Sequence, residues 1–238
     1  MTGFERGLKL AVFDCDGTLV DSQHSIISGM RHSFATEGLE CPDDESIRRI
    51  VGLSLEAATM KLLPGQSPEV YARLTTGYSD FWKQMRSSGT VDEPLYPGVI
   101  ETLAELEQQG WLLGVATGKS RRGLEATLEK FGISDFFITL QTADQARGKP
   151  DPDMLHKAMA ETGVDAASTV MIGDTTYDIV MSVNAGVLPI GVNWGYHQRE
   201  ELISSGAIDV VDDYQELKTL LNKLVEKRQW AAVSKSFQ

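Results

Sequence analysis

Short apolar runs alternate with longer amphipathic segments along most of the chain. The runs are rich in β-branched, leucine and aromatic residues, and each is bounded by polar or turn-forming residues. That pattern is typical of buried β-strands. Six strands are predicted, at residues 8–13, 111–116, 136–140, 169–172, 187–192 and, in a less apolar run, 208–211.

The segments between these runs have the apolar spacing and the end signals of helices. Residues 99–109 follow Pro97-Gly98 and end before Gly110, and glycines also close the segments 121–131, 153–162 and 176–185. A last helix is predicted from Tyr214 onwards. Alternating strands and helices predict right-handed βαβ units and a mostly parallel sheet, whose ligands bind at the carboxyl ends of its strands.

Residues 22–91 break this alternation, because they hold several helical patterns and no good strand. About 70 residues are too many for a simple crossover between two strands. We therefore expect an α/β core formed by residues 1–20 and 93–238, with an all-helical domain inserted at 21–92. After residue 227 the signals are weak, and both an additional helical turn and partial disorder fit them.

The composition limits the possible partners. The chain of 238 residues carries 22 basic and 34 acidic side chains, a net charge of −12. This charge weighs against binding to nucleic acid or anionic membranes, which are polyanions. No apolar stretch approaches the roughly 18 residues of a membrane span, and no secretory signal is predicted. With only Cys15 and Cys41 available, a disulfide framework is not expected, which favours the reducing cytoplasm.

Acidic side chains gather directly after two of the predicted strands. Asp14 and Asp16 follow the first strand in DCDGT, and Asp174 and Asp178 follow the fourth in GDTTYD. Neighbouring carboxylates repel each other, and a hard divalent cation such as Mg²⁺ relieves that repulsion. Each pair alone is compatible with a solvated turn or a helix cap. Two such pairs at strand ends favour a metal site.

Two further polar features stand at helix starts. Thr117 and Gly118, in TGKS, follow the second strand, where a hydroxyl and free backbone N–H groups can bind an anion. The glycine spacing of a Walker loop is absent, so a nucleoside triphosphate site of that type is not predicted. Lys149 precedes Pro150, which restricts the backbone and could direct the ammonium group. A capped turn and a solvated lysine are the alternative interpretations.

Together these segments resemble the motifs of the haloacid dehalogenase superfamily of phosphotransferases. The four motifs occur in order as FDCDGTLVDS, VATGKS, GKPDP and MIGDTTYDI, and the match extends over nearly the whole chain. The helical insertion after the first motif is similar to the family's mobile cap. Within the family the pattern looks like that of phosphoglycolate-phosphatase-type enzymes. Residues 48–54 (RRIVGLS) and 191–196 (GVNWGY) strengthen this resemblance.

The resemblance implies a Mg²⁺-dependent phosphatase with an aspartyl-phosphate intermediate. Asp14 would attack phosphorus, while Asp16 would protonate the leaving oxygen and then activate water. The implied metal ligands are Asp14, the main-chain carbonyl of Asp16, and Asp174, with Asp178 bound directly or through water.

The resemblance also implies the groups that contact the substrate. Thr117 and the Gly118 amide would hold phosphate oxygens, and Lys149 would offset charge in the transition state. Ser54, in the inserted segment, is a candidate specificity residue. The implied partner is a small phosphorylated metabolite, phosphoglycolate by similarity, with pyrophosphate, sugar phosphates and nucleoside monophosphates open. Monomer and homodimer are both compatible with the sequence.

The sequence differs from the motifs of several related enzymes, and these differences reduce the number of reactions that it could catalyse. Dehalogenases of this superfamily lack an acid at the position of Asp16. Phosphonatases need a cap lysine, whereas Lys61 and Lys83 lie in no recognisable motif. β-Phosphoglucomutases usually carry other residues where Thr18 and Leu55 stand, so hydrolysis is favoured, with mutase or pyrophosphatase-like activity as the alternative. A phospho-accepting regulatory domain, the non-enzymatic alternative, would lack the insertion.

Overall fold

Six parallel strands form the sheet at the centre of the computed structural model, which describes residues 7–89 and 93–235 and side chains as far as residue 226. The strand order is β3-β2-β1-β4-β5-β6. The strands are β1 (Lys9–Phe13), β2 (Trp111–Thr117), β3 (Phe137–Thr142), β4 (Thr169–Gly173), β5 (Leu188–Val192) and β6 (Asp209–Val211). The predicted α/β class with a parallel sheet is confirmed, and every predicted strand is present.

Helices connect these strands and cover both faces of the sheet. They are α1 (Gln23–Thr36), α2 (Asp44–Arg48), α3 (Leu55–Leu62), α4 (Pro68–Ser87), α5 (Val99–Gln108), α6 (Arg121–Phe131), α7 (Asp153–Thr162), α8 (Thr176–Ala185), α9 (Arg199–Ser204) and α10 (Tyr214–Lys235). No helix in the described part of the chain has the length and apolarity needed to cross a bilayer. Helix α10 extends past residue 227, which agrees with the helical alternative as far as residue 235. Residues 236–238 lie outside the described residues.

The sequence prediction missed helix α9. It has six residues, of which only Leu202 is buried, so an apolar period cannot appear in it. A capping box between Gln198 and Glu201 was the available signal.

Strand β1 lies in the middle of the sheet and is buried on both faces. Ala11 and Phe13 pack in one apolar cluster with residues of α5, α6 and α10. Leu10 and Val12 point the other way, into a second cluster with residues of α7 and α8. A strand buried on both faces has apolar residues throughout, which is why LKLAVF shows no alternation.

Helices α1 to α4 all lie between β1 and β2, as the break in alternation predicted. They enclose an apolar cluster of their own, built around Met30, Ile47 and Ile50 and joined by Tyr196 from the loop after β5. Whether residues 21–92 act as a separate domain stays a prediction. Of the predicted limits of the core and the insertion, residues 1, 92 and 238 lie outside the described residues.

The strand order brings the carboxyl ends of β2, β1 and β4 next to one another. Phe13 is aligned with Val115 on one side and with Ile172 on the other. The Asp14 N–H continues the ladder by donating to the Ile172 carbonyl at 2.9 Å. The polar segments that follow these three strands therefore converge at one edge of the sheet.

Candidate active site

Three buried carboxylates meet at this edge. Asp14 follows β1, Asp174 follows β4, and Asp178 lies in the first turn of α8. All three are at most 1% exposed, and one oxygen from each lies within 4.8 Å of the others. The structure thus brings together acids that are 160 or more residues apart in the chain, counted from Asp14 to Asp174 and Asp178.

A single buried ammonium group lies against these carboxylates. Lys149 Nζ is 2.8 Å from Asp14 Oδ1 and 2.6 Å from Asp178 Oδ1, and its side chain is fully buried. Burial alone lowers the pKa of Lys149, but the charges of Asp14 and Asp178 outweigh it and raise the pKa above the ordinary lysine value. With Lys149 charged, three ionised carboxylates and one ammonium carry a net charge of −2.

Among the described residues, Lys149 is the one cation paired with these acids, so the cluster is not balanced when all three carboxylates are ionised. Burial, opposed by Lys149 and reinforced by Asp178, raises the pKa of Asp14 to about 7. Burial, together with the charges of Asp178 and Asp14, raises the pKa of Asp174 well above its ordinary value. Asp14 Oδ2 is buried and has no hydrogen-bond partner among the described residues. An all-oxygen cluster with a double negative charge and a spare carboxylate oxygen fits a hard divalent cation such as Mg²⁺.

Neighbouring groups orient two of the acids. Asp174 accepts hydrogen bonds from the Thr18 hydroxyl and from the Tyr196 N–H, both at 2.9 Å. Asp178 Oδ2 accepts from the N–H and the hydroxyl of Thr175 in a capping box. The contribution of the Tyr196 backbone was not predictable, because the sequence carries no signal for it.

Asp16 lies beside the acidic cluster but has different partners. Its Oδ1 accepts from the Ser22 hydroxyl at 2.5 Å and is 2.7 Å from Lys119 Nζ. Lys119 was missed as a functional residue, and its place in the TGKS motif was the only signal. Lys119 supplies the cation for Asp16, so these two residues form an ion pair that is separate from the three acids.

A second buried acid, Glu93, faces the Asp16–Lys119 pair. Glu93 is 3% exposed, and its Oε1 has no hydrogen-bond partner among the residues described. Burial raises the pKa of Glu93 from 4.5 to about 7, with Lys119 opposing the shift and Asp16 adding to it. No sequence motif marks Glu93 as a functional residue.

We expect Glu93→Gln to change how stability depends on pH. Between the ordinary Glu pKa and the raised one, the folded state binds more protons at Glu93 than the unfolded state does. This group therefore lowers the free energy of unfolding as pH rises through that window. From about pH 5 to about pH 8, the variant should gain on the order of 2 kcal/mol relative to wild type. Urea unfolding of both proteins at the two pH values measures this gain.

Glu101→Gln, which removes an exposed carboxylate from α5, is the control. A Glu93→Gln difference that is equal at both pH values would contradict the assignment of a raised pKa.

Thr117 ends β2 beside the acidic strand ends, and Gly118 follows it. Thr117 is 1% exposed, and its hydroxyl oxygen accepts the Lys119 N–H at 3.2 Å. Gly118 lies directly under the inserted segment, against the carbonyl oxygens of Gly52 and Leu53. The loop predicted to hold phosphate is therefore in contact with the helical segment.

Ser54, the predicted specificity residue, lies near this contact. Its hydroxyl caps α3 by accepting the Ala57 N–H at 3.3 Å, and its side chain lies beside Gly148. Within the described part of the chain, the contacts of Ser54 do not include the three acids. Its role in specificity stays a prediction.

We expect Gly118→Ala to destabilise the protein. A Cβ at this position would overlap the Leu53 carbonyl oxygen, which belongs to the backbone and cannot rotate away. Overpacking of this kind lowers the free energy of unfolding by about 1–3 kcal/mol. Urea unfolding measures the change. In the control Gly123→Ala the new Cβ would meet the Ser120 hydroxyl oxygen at 3.3 Å and the Lys119 Cβ at 4.0 Å, so little loss is expected. Equal stability of the two variants would contradict the close approach at Gly118.

A family model described as haloacid dehalogenase-like hydrolase matches residues 11–192, which include all four motifs. The chain belongs to the haloacid dehalogenase-like hydrolase family. The predicted family membership is thereby confirmed, and the observed sheet is the α/β fold that membership implies.

Relatives within the family have names of the phosphatase class. A "Probable phosphatase IndB" of Dickeya dadantii (strain 3937) is 36% identical over 211 residues, covering 87% of this chain and 91% of that protein. A "Phosphoglycolate phosphatase" of Agrobacterium fabrum is 32% identical over 226 residues, covering 94% and 97%. The family and these names support the prediction of a hydrolase of the phosphatase type.

A solved structure shows the same architecture. The structure described as a predicted phosphatase from Clostridium acetobutylicum superposes with a TM-score of 0.82 at 26% identity, covering 91% of this chain and 99% of that one. The similarity therefore includes the helical segment as well as the sheet. The roles of individual site residues are not decided by these similarities and stay predictions.

Proposed function

We propose that the protein is a Mg²⁺-dependent phosphatase that hydrolyses small phosphate monoesters through an aspartyl-phosphate on Asp14. The observation that carries this proposal is the buried cluster of Asp14, Asp174, Asp178 and Lys149, whose net charge is −2 when all three carboxylates are ionised. A divalent cation would balance that charge and let an anionic substrate approach. The phosphatase names of the relatives support the reaction class.

In the first step Asp14 attacks phosphorus and the bond to the leaving oxygen breaks. Asp14 Oδ1 is held by Lys149 and by the Cys15 N–H at 2.6 Å, while Oδ2 is not held by any described residue. One carboxylate oxygen is thus fixed and the other is available for chemistry. Lys149, Thr117 and the Gly118 amide would stabilise the charge on the transferring phosphoryl group.

Asp16 would serve as general acid and then as general base. In its protonated form Asp16 gives its proton to the leaving oxygen, and the carboxylate so formed then takes a proton from the water that hydrolyses the acyl phosphate. Ser22 and Lys119 fix its orientation. Its separation from the acidic cluster suits a proton-transfer role.

The metal would be held by Asp14, Asp174 and the main-chain carbonyl of Asp16, with Asp178 bound directly or through water. When bound, it supplies positive charge that lets the anionic nucleophile meet the anionic phosphate.

We propose that residues 21–92 form a cap over a catalytic unit made of 1–20 and 93–238. Several contacts join the two parts. Arg49 makes two hydrogen bonds to Glu201, at 2.6 and 2.7 Å, and Lys61 donates to the Tyr177 hydroxyl at 2.7 Å. A cap held in this position would exclude water from the reaction.

Release of phosphate from p-nitrophenyl phosphate tests the proposed function. We expect turnover with Mg²⁺, loss of turnover with EDTA and recovery when excess Mg²⁺ is restored. The same assay run with pyrophosphate and with sugar phosphates separates the alternatives. Interconversion of sugar phosphates without free phosphate would indicate a mutase, and no release from any ester would refute the phosphatase.

Cytoplasmic location and a monomeric or homodimeric state stay predictions.

A further inference from the structure

A cavity of about 630 Å³ lies between the helical segment and the sheet edge. Asp16, Gly118 and Lys119 line it on one side, and residues of α1, α3 and α4 line it on the other. It therefore opens on the carboxylate that would protonate the leaving oxygen. The volume falls within the roughly 300–1,000 Å³ of pockets that hold drug-sized ligands. Glycolate, with two carbon atoms, is far smaller than this.

The wall of the cavity on the side of the helical segment is apolar. Ile26, Met30 and Trp82 line it, and each is at most 8% exposed. Apolar lining of this kind favours a ligand that removes its own apolar surface from water. A leaving group consisting only of a carboxylate and one methylene would gain little from it.

The rim of the cavity carries two guanidinium groups. Arg86 extends from α4 and Arg122 from α6, and both line the cavity. Burial and the charge of Arg122 both lower the pKa of Arg86, as expected for two cations that line the same cavity. Neither forms a salt bridge with another described residue. An anion placed between them would relieve their repulsion.

An aromatic side chain connects this rim to the reaction centre. The Trp82 ring has Lys119 Nζ 5.6 Å from its centroid and the Arg86 guanidinium carbon 5.8 Å from it. Lys119 is in turn the partner of Asp16. One molecule could therefore reach from Asp16, along the indole, to the arginine pair.

On these grounds we propose that the leaving group of the substrate carries a ring-sized apolar body and, at its far end, a second anionic group. The inference rests on the proposed phosphatase function and names the substrate class for the same site. The apolar body packs against Met30 and Trp82, and the anion binds Arg86 and Arg122. Phosphoglycolate is then a poor substrate, although relatives carry its name.

Three alkyl phosphates test this inference on the full-length protein with Mg²⁺: 4-carboxybenzyl phosphate, benzyl phosphate and 2-phosphoglycolate. We expect kcat/KM to be highest for 4-carboxybenzyl phosphate, by about tenfold or more over benzyl phosphate, since hydrogen bonds to charged groups contribute that much. In Arg86→Gln/Arg122→Gln this ratio should fall towards one. Arg73→Gln, on α4 but paired with Glu37 away from the cavity, is the matched control.

Binding without turnover gives an independent readout. Calorimetric titration of wild type should show tighter binding of 4-carboxybenzylphosphonate than of benzylphosphonate, and the double variant should lose that difference.

Failure of this inference and failure of the proposed function are distinguishable. If p-nitrophenyl phosphate is hydrolysed but 2-phosphoglycolate is the best of the three esters, the substrate class is wrong and the phosphatase stands. A ratio that the double variant leaves unchanged overturns the arginine site. If no ester is hydrolysed, the phosphatase fails and this inference fails with it.

Discussion

Asp14→Asn is expected to lower kcat for phosphate release by roughly 10⁴-fold or more, the scale of loss seen when an enzyme's nucleophile is removed. An amide has almost the same shape as the carboxylate but cannot form the acyl phosphate. Steady-state release of phosphate from p-nitrophenyl phosphate with Mg²⁺ measures the loss. Mass spectrometry of rapidly quenched enzyme should detect a phosphorylated aspartate in wild type and none in the variant.

Loss of fold is not expected to explain this effect. Asp14 is one of three crowded acids, and its raised pKa shows that its charge is costly in the folded state. The variant should therefore unfold at a urea concentration no lower than wild type does. Asp21→Asn changes an exposed aspartate in the neighbouring loop and should retain full activity. Substantial Mg²⁺-dependent turnover by Asp14→Asn would rule Asp14 out as the nucleophile.

Lys149→Met is expected to lower the free energy of unfolding in EDTA by about 3–5 kcal/mol, the scale of breaking a buried ion pair from one side. The methionine fills similar space but leaves Asp14 and Asp178 without their buried cation. Mg²⁺ should raise the free energy of unfolding of the variant more than it raises that of wild type, because it supplies positive charge to the same carboxylates. Urea unfolding with EDTA and with Mg²⁺ measures both effects.

Lys157→Met is the matched control for this variant. Lys157 lies in α7, is 42% exposed and pairs with Asp153 at the surface. A surface pair contributes at most about 1 kcal/mol, so little change is expected with or without Mg²⁺. If Lys149→Met were as stable as wild type in EDTA, Lys149 would not be the charge that balances the buried acids.

Much of the fold could be predicted because its signals are local. Strand β1 is apolar throughout, and helices such as α6 and α8 begin at a capping hydroxyl and end at a glycine in the left-handed conformation. The missed helix α9 has neither a long apolar period nor more than one buried residue. The prediction therefore failed where an element depends on packing against β5 and β6 instead of on its own pattern.

The acidic part of the candidate site was also accessible from sequence. Asp14 and Asp174 directly follow strands, and parallel strands that are neighbours in a sheet end at the same edge. The pairing of Asp16 with Lys119, and the approach of buried Glu93, were not accessible. Both depend on how the loop after β2 and the segment before α5 are placed, and no spacing in the sequence encodes that.

The sequence by itself determined the family, the parallel α/β core, the helical insertion and the acids expected at the sheet edge, because each is written in short patterns along the chain. Only the tertiary structure decided which charges share a buried space. Among the described residues it placed one lysine against the buried acids, and it set Arg86 and Arg122 at the rim of a cavity with apolar residues on one wall. Electrostatic balance depends on distances between groups far apart in the chain, and folding alone sets those distances.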